Sequence, residues 1–364
     1  MGLTERECWF WMSSCEWLGI RSAEKLLGYF KSAKNIYYGR SSQYEQIKGI
    51  NSKIVSRLKA KEMKEDTVKK SMEVLQKQGG KFVCRIDNNY PKKLRNLSDP
   101  PLGLFYYGVL PTDNRPMIAV VGAREASAYG LEAARYFAGK LSDCGVGIIS
   151  GLARGVDAQA HKGALQSGGD TWGILGCGIN LCYPKENWKL FDAMKTHGGI
   201  MSEYGYGIKP ESWHFPMRNR LISGFADGIF VIEAREKSGS LITVDQGLEQ
   251  GKNIYALPGP FHAALSKGCH QLIQGGAKLV YNPEDILEDF QMIMKNSGNI
   301  KEKKLSLDKS EQLVYASLSL GPRDIDTISV SCGLPLSETI HILIQMELDG
   351  KVCRVGQNQY MLKI

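Results

Sequence analysis

Between Met117 and Tyr281 the chain alternates short, uninterrupted apolar runs with longer stretches in which apolar residues recur every three or four positions. The runs are M-I-A-V-V-G from Met117, V-G-I-I-S-G from Val146, T-W-G-I-L-G from Thr171, G-I-M-S-E from Gly199, G-I-F-V-I-E-A from Gly228, N-I-Y-A-L-P-G from Asn253 and A-K-L-V-Y from Ala277. A strand covered on both faces reads as a continuous apolar run, and a helix-length segment between such strands is what a parallel sheet needs. The pattern predicts an α/β domain built on a doubly wound, mostly parallel sheet. Two further runs, F-V-C-R-I from Phe82 and G-L-F-Y-Y-G from Gly103, flank a turn-rich passage with Pro100 and Pro101 and bring this domain to 81–293.

Before residue 81 the periodicity is helical, broken at Leu18-Gly19-Ile20 and again between Ile47 and Asn51. Two helical units with apolar-Gly-apolar turns predict a domain over 1–80 of the helix-hairpin-helix or sterile-alpha-motif (SAM) kind. Such hairpins present turn amides to DNA phosphates, and an all-helical protein-interaction cap has the same pattern. The polar, lysine-rich stretch 294–312 predicts a linker. Residues 313–364 predict three helices and a β-hairpin, a winged-helix-like domain. Its I-H-I-L-I-Q-M-E-L helix is apolar, and 301–364 holds eight basic and eight acidic residues, which favours protein contact or packing over DNA.

Charge alters this picture locally. The chain has 46 Lys and Arg against 38 Asp and Glu, a net +8, which permits a nucleic-acid partner without requiring one. Residues 1–80 hold 15 of the basic residues against 9 acidic ones, so any phosphate site in the middle of the chain is a local one. The nine cysteines form no C-x-x-C pair and no zinc-like spacing, so they read as reduced core residues. The start, M-G-L-T-E-R-E-C-W-F, lacks a signal peptide's basic and apolar regions, and no run of about 18 apolar residues follows. A cytoplasmic protein that engages no membrane is expected.

The candidate chemistry lies in the glycine turns after the strands, where open α/β sheets bind ligands. The first turn, G-A-R-E-A-S-A-Y-G, opens a helix whose leading N–H groups can meet a phosphate, with Gly122 allowing close approach, Arg124 offering a two-pronged grip and Ser127 a hydroxyl. It is not G-x-G-x-x-G, because Arg124 stands at the second glycine, so NAD is disfavoured. No G-x-x-x-x-G-K-[ST] loop or metal cluster is present, and no cofactor, metal or catalytic residue is expected. The second turn offers Gly151 and Arg154, with Asp157 as a helix cap. Then come Lys185 and Asn187 in C-Y-P-K-E-N-W, Phe215, Arg218, Asn219 and Arg220 in H-F-P-M-R-N-R, and Ser238 and Ser240 in E-A-R-E-K-S-G-S. A row of phosphate grips with an aromatic nearby suits a single strand, whose bases stack on rings without regard to sequence. The competing reading pairs individual arginines with Glu203 or Glu233 and places Phe215 and Trp188 in the core. His161, without a nucleophile or metal set, reads as a structural hydrogen bond.

From Val121 to Ala277 these motifs resemble the DNA-processing protein A (DprA, or Smf) family: V-G-A-R-E-A-S-A-Y-G, I-S-G-L-A-R-G-V-D-A-Q-A-H, G-C-G-I-N-L-C-Y-P-K-E-N, F-P-M-R-N-R-L-I-S-G, V-I-E-A-R-E-K-S-G-S-L-I-T and G-C-H-Q-L-I-Q-G-G-A. The resemblance implies an extended Rossmann-like domain in a non-enzymatic homodimer that binds single-stranded DNA and loads the recombinase RecA in natural transformation and homologous recombination, with single-strand-binding protein as a further partner. It implies DNA contacts at Gly122, Arg124, Ser127, Lys185, Phe215, Arg218, Asn219 and Arg220. The chain departs from the family pattern at Ala123, Ser212, Lys252 and His270. The alternative is a phosphoribohydrolase-like nucleotide-processing enzyme on a related scaffold, with Glu233 and Glu249 at its catalytic face. The P-G-G-x-G-T segment that marks that group is missing.

Overall fold

The computed structural model describes residues 2–60, 63–291, 307–318, 321–355 and 358–362. Each apolar run becomes a strand: β1 (Lys81–Cys84), β2 (Gly103–Gly108), β3 (Met117–Val121), β4 (Gly147–Ser150), β5 (Thr171–Leu175), β6 (Gly198–Ser202), β7 (Gly228–Val231), β8 (Asn253–Ala256) and β9 (Lys278–Leu279). They form one sheet in the order β1-β2-β6-β5-β4-β3-β7-β8-β9. From β6 to β9 all neighbours are parallel, while β1 pairs with β2, and β2 with β6, in antiparallel fashion. In the β2–β6 ladder Tyr106 faces Met201.

The helices, in chain order, begin with six in the front unit: α1 (Glu5–Ser14), α2 (Ile20–Phe30), α3 (Ala33–Tyr38), α4 (Ser41–Glu45), α5 (Ser52–Ala60) and α6 (Glu65–Lys77). Around the sheet lie α7 (Lys92–Arg95), α8 (Ala128–Asp143), α9 (Val156–Gln166), α10 (Trp188–Met194), α11 (His214–Phe225), α12 (Gly239–Glu249), α13 (Lys267–Gln274) and α14 (Glu284–Leu287). The central strand β3 is buried along its whole length, and its side chains alternate between two cores as the period of two demands. Ile118 and Val120 pack with Phe137 and Leu141 of α8 and Ala160 of α9, whereas Met117, Ala119 and Val121 pack with Leu221 and Phe225 of α11 and Val244 of α12. This is the doubly wound arrangement that the uninterrupted runs predict.

The front helices do not stand apart from the sheet. Phe10 of α1 is 1% exposed and meets Phe82 and Phe105 edge-on at 5.2 and 5.3 Å, so β1 and β2 share one core with the front unit. Burying such a ring stabilises by about 1.5–3 kcal/mol, and the contact crosses the expected boundary at residue 80. At the other end, α15 (Lys309–Leu318), α16 (Ile325–Cys332) and α17 (Leu336–Leu348) pack with β10 (Arg323–Asp324), β11 (Val352–Arg354) and β12 (Gln359–Leu362) around Leu343 and Met346, the winged-helix layout. Part of the expected 294–312 linker lies outside the described residues, and its end, from Lys309, is already helix. Helix α17 carries no Lys or Arg and exposes an apolar stripe of Leu336, Ile340, Ile344 and Leu348. Among the described residues no single helix is long and apolar enough to cross a membrane.

Candidate nucleic-acid interface

The chain leaves β3 toward β4, β5 and β6 on one side, and later fills β7, β8 and β9 on the other. Between the carboxyl ends of β3 and β7 the connections diverge, and a crevice opens there. It encloses about 740 Å³ and is lined chiefly by the turn after β3, one face of α11 and the loop from Arg235 to Ser240 that leads into α12, with Ala153, Asp157 and Tyr183 also on its wall.

The turn after β3 is fastened from below. Ala123 donates its N–H to the Glu233 carbonyl at 2.8 Å, and the buried Glu233 carboxylate accepts from the Ser127 N–H at 2.8 Å and the Ser127 hydroxyl at 2.6 Å. The same hydroxyl accepts from the Gly130 N–H and so caps α8. Ser127 is thereby occupied in holding the turn. A Cβ on Gly122 would lie 2.7 Å from Val156 and 2.9 Å from the Glu233 carbonyl oxygen, so the first and second turns can nest only around glycine. Gly155 reciprocates at φ 72, where a Cβ would come within 2.2 Å of the Ala123 carbonyl oxygen.

With the turn fixed, Arg124 projects outward, exposed, its guanidinium 5.4 Å from the centre of the Phe215 ring. Tyr183, itself half-exposed, lies 5.7 Å from Phe215 on a tilted ring plane. Helix α11 supplies the rest by its phase. Phe215, Arg218, Asn219 and Ile222 follow the i, i+3, i+4, i+7 spacing of one helix face, and all four line the cleft. Arg218 lies in the cleft floor, buried, donating to the carbonyls of Gly151 at 2.8 Å and Ile174. Burial lowers its pKa to about 10, and the neighbouring Asp157 works against that fall. Asp157 in turn accepts from the N–H groups of Gly151 and Ala153, and burial pushes its carboxyl above the usual range even beside Arg218. Gly151 therefore gives its N–H to this brace.

Arg220 falls out of phase, two residues beyond Arg218 on α11 and therefore on the far side of the helix. It is buried there against Glu203, with Nη2 2.6 and 2.8 Å from the two carboxylate oxygens, and against Asp99 at 3.0 Å. The structure thus separates Arg220 from the cleft. Lys185 and Asn187 sit in a short 3-10 turn, Lys185–Asn187, with Lys185 exposed outside the cleft lining. Asn187 donates to the carbonyls of Leu152 and Ala153 at 3.0 and 3.2 Å and holds Leu152 at φ 55. Arg154 is an exposed surface residue paired with Glu186. Ser238 and Ser240 do line the cleft, their hydroxyls 2.7 Å apart at the start of α12.

The lining residues absent from the sequence-derived set include Tyr183, Arg235 and Lys237. The two cations stand in the same E-A-R-E-K-S-G-S stretch as the serines, so the charge was readable there. Tyr183 depended on the chain folding back to Phe215. Among the described residues, no carboxylate pairs with Arg124, Arg235 or Lys237, although Glu125 shares the cleft. No group of three or more His, Cys, Asp or Glu among the described residues could hold a metal ion.

Fold and cleft together define an extended Rossmann-like α/β protein whose switch-point crevice offers exposed cations and neighbouring aromatic rings in place of a dinucleotide turn. Residues 81–291 match the DNA recombination-mediator protein A family, and 301–358 match the DprA winged helix domain. The chain belongs to this family. It is 43% identical over 206 residues to DNA processing protein DprA of Streptococcus pneumoniae, covering 57% of this chain and 73% of that one. The solved structure of DNA processing protein A from Streptococcus pneumoniae superposes with a TM-score of 0.68 at 34% identity, over 79% of this chain and 99% of that one. That of DNA processing protein A from Helicobacter pylori, reported for a unique single-stranded DNA binding mode, gives 0.52 at 27% identity over 58% and 95%.

Proposed function

We propose that this chain is a DNA-processing protein that holds single-stranded DNA across the switch-point cleft and delivers it, as a homodimer, to the recombinase RecA in natural transformation and homologous recombination. The observation that carries the reading is the tier of Arg124, Phe215 and Tyr183 beside Arg235 and Lys237. Bases stack on the two rings while phosphates meet the cations and the hydroxyls of Ser238 and Ser240. The single-stranded DNA binding described for the Helicobacter pylori relative supports a single strand as the ligand, and the family's description as a recombination mediator supports a role beside a recombinase. The role is binding and delivery rather than catalysis.

The test is anisotropy of labelled oligo-dT with Phe215→Ala. One lost base stack costs about 1–3 kcal/mol, so affinity should fall roughly 5- to 150-fold. Unaltered affinity refutes the cleft assignment. RecA delivery is tested separately, by the rate of RecA filament growth on strands coated with single-strand-binding protein. A rate unaffected by adding the chain refutes that part.

A further inference from the structure

Phe215 follows directly on His214, the first residue of α11, and that helix start has no side-chain cap of its own. His214 is instead enclosed, 0% exposed, and held from several elements at once. Its Nδ1 lies 3.1 Å from the Gly176 carbonyl oxygen, in the turn after β5, and 3.3 Å from the Glu211 nitrogen. Its ring centre is 4.0 Å from that of Tyr204. Its Nε2 reaches out of the sheet domain altogether, to the Glu16 carboxylate at 3.1 Å. Glu16 stands in the turn between α1 and α2 of the front unit. An ionised carboxylate can only accept, so this bond sets the proton on Nε2.

His214 and Phe215 rest on one support. A Cβ on Gly176 would lie 2.8 Å from the Phe215 ring, so the ring packs against the same glycine whose carbonyl faces His214. The end of α1 comes equally near, since a Cβ on Gly205, next to Tyr204, would lie 3.0 Å from the Ser14 backbone. A line of contacts thus runs from Glu16 through His214 to Gly176 and Phe215, whose ring neighbours Arg124 and Tyr183 in the cleft. A stacking ring binds well only when the residues behind it hold it in place. We propose that Glu16 is a positioning residue for the single-strand site: through His214 it fixes the start of α11 and with it the Phe215 ring. The proposal rests on the reading of the cleft as that site. It makes the front unit part of the DNA grip without a contact to DNA. Its sign is opposite to that of plain charge, because removing a carboxylate from a protein that binds a polyanion should strengthen binding.

The experiment uses the full chain. The Glu16 side chain is 40% exposed, so its replacement leaves the core of the front unit intact. Glu16→Ala removes the acceptor, whereas Glu16→Gln removes the charge and keeps an oxygen for the Nε2 proton. By anisotropy of labelled oligo-dT, Glu16→Ala should weaken binding about three- to tenfold, a part of what the ring itself is worth, with the salt slope unaltered because no phosphate contact is lost. Glu16→Gln should bind like the parent. With Phe215→Ala already present, Glu16→Ala should cost nothing further, whereas a general loosening of the fold would cost the same in both backgrounds. Unaltered or tighter binding by Glu16→Ala overturns the proposal, as does a glutamine variant as weak as the alanine one, or an equal loss in both backgrounds. The ring is also read without DNA, by the fluorine NMR line of para-fluorophenylalanine in place of Phe215. That line should shift or broaden with Glu16→Ala and stay in place with Glu16→Gln, and an unmoved line in both overturns the proposal. Unaltered affinity in Phe215→Ala alone is the failure of the cleft reading, and the fluorine line then still decides whether Glu16 places the ring.

Discussion

Replacing Arg124 by alanine separates a phosphate grip from a decorative surface charge. The cleft presents three cations without a carboxylate partner among the described residues, Arg124, Arg235 and Lys237. On a single strand each neutralised phosphate contributes about 0.7 to the log–log salt slope, so the cleft supplies a slope of about −2.1. Raising salt from about 50 to about 200 mM should then weaken this contribution roughly 18-fold, against about 7-fold once Arg124 is gone. At the lower salt the variant should also lose the charge-assisted bonds themselves, about 1.5–3 kcal/mol before screening and about 1 kcal/mol after it, or roughly fivefold. Anisotropy of labelled oligo-dT over a salt series measures both quantities. Cations elsewhere on the chain add equally to both proteins, so the slope difference of about 0.7 is the decisive reading. A variant with the parental slope and affinity refutes the placement of a phosphate at Arg124.

Arg220→Ala should act on stability instead. It leaves Glu203, whose carboxyl burial already pushes up, without its cation, at a cost of about 3 kcal/mol by urea unfolding, and oligo-dT affinity of the folded protein should stay unchanged. Weakened binding at full stability would return Arg220 to the DNA path. His161 is enclosed, with Nδ1 2.7 Å from the Thr171 hydroxyl, and burial lowers its pKa to about 3. The unfolded chain takes up that proton first as pH falls below about 6.5, so His161 withdraws about 1.4 kcal/mol of stability per pH unit between there and about 3. Buried Asp157 and Glu203, shifted upward, oppose this in the acid range, so the readout is the difference from His161→Gln, whose stability curve should be flatter between pH 6 and 4. Parallel curves would show that His161 is protonated in the folded state.

The sheet was readable because a strand covered on both faces must be apolar at every position, and β3 to β8 obey this with few interruptions. The cleft was readable in part. The aromatic and the cation of F-P-M-R-N-R sit at helical spacing, and applying that spacing strictly sets Arg220 opposite Arg218. The occupied groups were harder to see, because their partners come from distant segments: Glu233 for Ser127, Glu203 and Asp99 for Arg220, the Leu152 carbonyl for Asn187. Only tertiary structure decides whether a polar side chain in a glycine turn holds the turn or faces a ligand. The front unit's junction with β1 and β2 was hidden for the same reason, since Phe10, Phe82 and Phe105 read as residues of separate elements until the sheet edge brings them together.

The antiparallel seam between β2 and β6 governs how the chain is made. During synthesis the front helices and the β1–β2 hairpin emerge first, with the edge of β2 unpaired, and Tyr106 waits for Met201 to leave the ribosome. At about 5–20 residues per second that interval lasts several seconds, during which an open strand edge beside a half-covered aromatic core is exposed to other chains. The order of translation thus sets how long this edge stays open, and slower synthesis between β2 and β6 lengthens the interval.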